Sequence, residues 1–104
     1  MATLYVTEFT SLDRESGLPG DIMQIALQPP IAEQTVSMSG THAESSAFNV
    51  KTDFVRLHTD AICSISFGTA PVATTAMARM AANQTEYFGV TPGLKFMVSA
   101  ITNT

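Results

Sequence analysis

The chain has 104 residues, with five Lys or Arg against nine Asp or Glu and a formal net charge of −4. Charged residues make up 13%, against about 25% in an ordinary soluble domain, and the three arginines are scattered at Arg14, Arg56 and Arg79. There is no basic stripe to meet a phosphate backbone, which argues against a nucleic-acid partner.

In chain order, Thr3 to Phe9 alternates Leu4 and Val6 with Tyr5 and Thr7, the period of two that predicts a first strand. Ser11 to Asp21 gathers charge around Gly17, Pro19 and Gly20 and reads as an exposed loop. Ile22 to Leu27 is a second strand, stopped by Gln28-Pro29-Pro30, because proline cannot donate to a ladder. Gln34 to Ser39 follows with Val36 and Met38 alternating, then a loop from Gly40 to Glu44 and a short strand around Ala47 to Val50.

Asp53 to Gly68 carries the clearest pattern. Val55 and Leu57 point one way while Arg56 and His58 point the other, and Cys63, Ile65 and Phe67 alternate with Ser64 and Ser66. We read these as two half-buried antiparallel strands forming a central hairpin, with a tight corner at His58 to Ala61 capped by Asp60. Thr69 to Met80 is rich in alanine, but its Thr and Pro favour a loop and short strand over a helix. Thr85 to Val90 is a strand, Thr91-Pro92-Gly93-Leu94 has the residues of a type II turn, and Lys95 to Ile101 is the last strand. That last strand carries apolar residues on both faces, so both need cover. Seven or eight short strands with frequent turn signals predict a single all-β domain over residues 1–104, a compact antiparallel β-sandwich or jelly roll.

A domain of this size buries roughly 60–70% of its unfolded surface. Its 23 serines and threonines give a surface of hydroxyls rather than charges, suited to packing against neighbours. No apolar run reaches the roughly 18–20 residues of a membrane span. MATLYVTEF lacks the basic and long apolar regions of a secretory signal. The expectation is therefore a chain beginning near Ala2, made in the cytoplasm, with no membrane partner.

Chemistry is sparse. Cys63 is the single cysteine and sits on the apolar alternation, the place of a structural thiol rather than a nucleophile. His42 and His58 are far apart and lack paired ligands at metal spacing. Glu8, Glu33, Glu44 and Glu86 are isolated and read as solvated. Tyr5, Tyr87, Phe88 and Phe96 could form an aromatic glycan platform, although core and interface are the commoner uses of such residues. No enzyme activity, catalytic residue, metal or cofactor is expected.

The run Phe54 to Cys63, then Phe67 to Thr75, Arg79-Met-Ala-Ala and Glu86-Tyr-Phe-Gly-Val-Thr-Pro-Gly93 resembles small structural proteins of tailed-bacteriophage virions, of the head decoration or cement type. The likeness covers roughly residues 47 to 101 and follows turns and core positions rather than a catalytic fingerprint. It implies a protein on the capsid surface that binds the major capsid protein and other copies of itself, as dimer or trimer. It leaves open a head-tail connector, collar or tail subunit, or a host-glycan-binding module. Under this reading the Ser11 to Asp21 and Thr69 to Met80 segments make the contacts. Leu12, Leu18, Ile31, Val72, Met77 and Met80 are the candidate interface residues.

Overall fold

The computed structural model describes residues 2–10, 12–14, 22–26 and 28–103; for 12–14 and 22–26 it describes the backbone. The described residues are all-β, without a helix. Ten strands run in order: β1 Ala2–Phe9, β2 Leu12–Arg14, β3 Ile22–Ala26, β4 Ala32–Met38, β5 Ala43–Glu44, β6 Phe54–Thr59, β7 Cys63–Gly68, β8 Ala78–Met80, β9 Thr85–Gly89 and β10 Met97–Thr102. Eight of them form two four-stranded antiparallel sheets, ordered β4-β1-β6-β9 and β5-β10-β7-β8.

Side-chain alternation decides which side of each sheet is apolar. In the first sheet Leu4, Val6, Val36, Met38, Val55 and Leu57 point to one side and are buried. In the second, Cys63, Ile65, Met80, Val98 and Ala100 do the same, and the two sets belong to one core cluster with Phe48. Phe67 and Phe88 pack at its margin, ring centroids 5.2 Å apart. Burying these side chains is the main stabilising term, at roughly 1.5–3 kcal/mol for each large one.

The predicted central hairpin needs correction. β6 and β7 form where the alternation places them, but they do not pair. β6 lies between β1 and β9 in one sheet, and β7 between β10 and β8 in the other. The chain therefore changes sheets at the corner. Thr59 builds that corner: its hydroxyl donates to the Ala61 carbonyl (2.6 Å) and accepts from the Ala61 amide (3.2 Å). Asp60, expected as the cap, instead accepts from the backbone amide of Thr3 at 2.7 Å and fastens the corner to β1.

Other boundaries shift for equally local reasons. Residues 47–50 form no strand, although the Phe48 amide still donates to the Phe96 carbonyl (2.8 Å). Within the expected loop at Gly40 to Glu44, Ala43 and Glu44 pair with β10. Within the expected loop at Ser11 to Asp21, Leu12–Arg14 is a strand paired with β3; the rest lies outside the described residues. The β2-β3 ribbon belongs to neither four-stranded sheet and is inserted in the connection between the antiparallel neighbours β1 and β4. Gly93 has φ 84°, the left-handed value that glycine tolerates at the third position of the predicted turn.

The outer sides of the two sheets differ. Ser64 and Ser99 face outward from the second sheet, yet both are fully buried. The connection from β7 to β8 lies over them. The Ala73 amide donates to the Ser99 hydroxyl at 3.0 Å, and Asn103 donates to the Ser64 hydroxyl at 2.8 Å and the Thr75 carbonyl at 3.1 Å. The chain itself thus supplies part of the second cover that β10 requires: Ser99 is buried, while Met97 and Ile101 are half-buried. On the outer side of the first sheet Tyr5, Glu33, Thr35, Thr85 and Tyr87 stay exposed, while Phe9, at the end of β1, is buried.

Candidate binding surface

The uncovered side of the β4-β1-β6-β9 sheet is built by strand register. Thr35, Tyr5, His58 and Thr85 form one row across the four strands, and Glu33, Thr7, Arg56 and Tyr87 form the next. Tyr5 is 46% exposed and Tyr87 58%. The rows carry an aromatic seam at one end, where Phe9 stacks on Phe54 at 5.1 Å and Phe54 meets Tyr87 at 6.2 Å. His58 Nδ1 lies 2.8 Å from the Thr85 hydroxyl, which fixes the imidazole, and the Tyr5 ring sits 6.2 Å from it at a tilt of 44°.

A shallow groove of about 650 Å3 follows β1 on this side, with Tyr5, Thr7, Glu33, Thr35, Arg56 and His58 in its lining. Glu33 and Arg56 stand on strands flanking β1, roughly 10 Å apart at the usual strand spacing, and form no ion pair with each other. The two charges balance.

At the β4 end, the core-facing side of the same sheet holds a polar clasp that sequence reading misses. Glu8, read above as solvated, is 2% exposed. One carboxylate oxygen accepts from the Asn49 amide and the Thr52 hydroxyl, both at 2.7 Å, and the other accepts from the Gln34 amide group at 3.2 Å. Gln34 in turn accepts from the Ser46 amide (2.9 Å) and donates to its carbonyl (3.2 Å). The signal was available in the parity of β1: after Leu4 and Val6, the next residue facing the core is Glu8. The clasp ties the 45–52 segment across the end of the core, which is a structural use of a carboxylate.

The other sequence candidates are dispersed. Cys63 is fully buried, its thiol donating to the Thr59 hydroxyl at 3.6 Å. Burial pushes the thiol up from its ordinary 9.0; the Thr59 bond opposes that shift and the charge of Asp60 adds to it. His58 faces the outside of its sheet, so His58, Asp60 and Cys63 do not converge. Among the described residues no three His, Cys, Asp or Glu side chains gather as a metal site.

The aromatic set divides: Tyr5 and Tyr87 share the uncovered side, whereas Phe88 and Phe96 pack against the core. Of the candidate interface residues, Val72 and Met77 are exposed on the β7-β8 connection, at 50% and 40%. Ile31 is half-buried at the root of β4, its amide donating to the Glu8 carbonyl. Leu12 lies in β2, and Leu18 falls outside the described residues. Met80 requires correction: it is 1% exposed, paired across from Cys63 in the core, and offers no surface to a partner. β8 turns its third residue inward, which the sequence reading did not anticipate.

Comparison with models of known protein families, with curated proteins and with solved structures finds no match to this chain. Among the described residues no helix is long and apolar enough to cross a membrane.

Proposed function

We propose that this chain is a structural protein of a tailed-bacteriophage virion, a decoration or cement subunit that binds the outside of the head and stabilises the major capsid protein lattice. In finer detail we read the fold as a β-sandwich of jelly-roll type. The strand sequence supports it: after β4 the chain passes between the two sheets at β5, β6, β7, β9 and β10 rather than completing one sheet first.

The observation that carries the functional reading is the division of labour between surfaces. One sheet has its outward serines covered by the chain itself, the other keeps Tyr5, Glu33, Thr35, Thr85 and Tyr87 exposed on its outer side, and a two-stranded ribbon pairs with neither sheet. A lone ribbon of this kind is marginal in water without something to pack on. Open sheet edges and inserted ribbons serve a protein that lives among neighbours. Cementing needs no reaction: a subunit that spans capsomers resists their separation, and repetition on a lattice multiplies weak contacts by effective concentration.

The test is co-sedimentation of the purified chain with capsids that lack it. Saturable attachment to assembled heads, with raised resistance of those heads to heat, is the expected result. A chain that stays in the supernatant at all concentrations would remove the proposal.

A further inference from the structure

The groove along β1 is lined mainly by side chains that neither the core nor the Glu8 clasp uses: Tyr5, Thr7, Glu33, Thr35, Arg56 and His58. We propose that it is a binding site for a neutral oligosaccharide. This goes beyond the virion reading and does not depend on it, since it concerns a soluble ligand rather than the capsid lattice.

Three ligand classes compete for such a groove, and its chemistry separates them. A polyanion would meet the Glu33 carboxylate in one wall and a single permanent cation, Arg56, in the other. The chain's net charge of −4 adds no attraction at long range. An apolar peptide or lipid needs exposed aliphatic surface. The one aliphatic residue of the lining, Val6, is 1% exposed and turned to the core, leaving the Tyr5 ring, hydroxyls, the Gln34 amide, a carboxylate, a guanidinium and an imidazole.

A neutral sugar satisfies the same groups. Its neighbouring hydroxyls can donate to Glu33 and accept from the planar fork of Arg56, both charge-assisted bonds. Thr7 and Thr35 can donate or accept as needed. The C–H face of a pyranose can lie on the ring of Tyr5, which is 46% exposed. The site is also pre-ordered, because the Thr85 hydroxyl holds the His58 ring at 2.8 Å while Nε2 remains for a ligand. Groups already fixed in place lose less freedom on binding.

The sequence supplies an unusually local probe. The chain has two tyrosines and no tryptophan, and both tyrosines lie on this side of the sheet. Tyrosine emission therefore reports on this surface alone. The full chain would be titrated with neutral hexasaccharides of α-glucose, β-glucose, mannose and N-acetylglucosamine, with a heparin hexasaccharide as the anionic arm and simple dilution as the self-association arm.

The expected result is a saturable change with at least one neutral sugar, weakened about tenfold or more in Arg56→Ala and Glu33→Gln, as for losing a hydrogen bond to a charged group. Val72→Ser, on the far side of the molecule, should bind as the parent does. Glu33 is an exposed side chain on an edge strand, so Glu33→Gln keeps the fold, which an unchanged far-UV spectrum verifies. Three results would overturn the site: no response to any neutral sugar, tighter binding of heparin than of every neutral sugar, or an emission change seen on dilution alone. The last would assign the surface to a second copy. None of these bears on attachment to capsids, which the co-sedimentation reads separately.

Discussion

Glu8 shows how much a single side chain can decide in so small a domain. It sits on the core-facing parity of β1 and survives there because three donors from two segments meet its carboxylate. Removing the acceptor costs roughly 1–3 kcal/mol for a donor left buried and unpaired, here the Thr52 hydroxyl, and less for the part-buried Asn49 and Gln34 donors that water can reach. Glu8→Ala should therefore lower stability by about 3 kcal/mol in chemical denaturation, whereas Glu86→Ala, on an exposed position of β9, should change it by less than about 0.5 kcal/mol. Equal effects would show that the clasp carries no weight. Cys63 gives a second residue-scale test. Its folded-state pKa is raised, so its contribution is intact below the free thiol's 9.0 and is lost as pH climbs from there toward the folded value, because the unfolded chain releases the proton first. Comparing denaturation at about pH 8 and about pH 10 should reveal a fall of at most about 1.4 kcal/mol per pH unit that Cys63→Ala abolishes. A slope unchanged in the variant would place its origin elsewhere.

Among the elements, alternation made the strands readable but could not say which strand lies beside which. β1, β6, β7, β9 and β10 fall close to where period-two patterning puts them, since burying one side of a strand fixes its faces whatever its neighbours are. The pairing of β6 with β7 was misjudged because a short corner can turn a hairpin or cross between sheets, and the residues His58 to Ala61 suit either. The same limit applies to the open groove: Tyr5, Thr7, Glu33, Arg56 and His58 come from three strands and become neighbours only through register. Buried serines were equally invisible, because Ser64 and Ser99 look solvated until the β7-β8 connection folds over them. That cover can be tested. Ser99→Ala leaves the Ala73 amide without its partner in a buried position and should cost about 1–2 kcal/mol, with faster proteolysis of the 69–77 segment; parent-like stability and cleavage would mean that the loop is not held there. Deleting the ribbon should leave the far-UV β-spectrum and the Cys63 environment intact while reducing attachment to heads, and undiminished attachment would take the ribbon out of the contact.

At the scale of the whole molecule, two sheets enclose one shared core, and the β7-β8 connection covers the outward serines of the second sheet. Among the residues whose side chains are described, the exposed ones include Tyr5 and Tyr87 on the outer side of the first sheet and isolated apolar residues such as Val72 and Met77. A low charge content and a hydroxyl-rich surface remove the repulsion that keeps ordinary monomers apart. Such a body suits repeated, passive contact on a lattice. Electron microscopy of phage particles purified from cells that make this chain tests the proposed role most directly. A two-layered β-body repeated over the head in roughly hundreds of copies, as lattice symmetry requires of a cement, is the expected result. A single ring of roughly a dozen copies at the neck or tail, or particles without the chain at all, would contradict it.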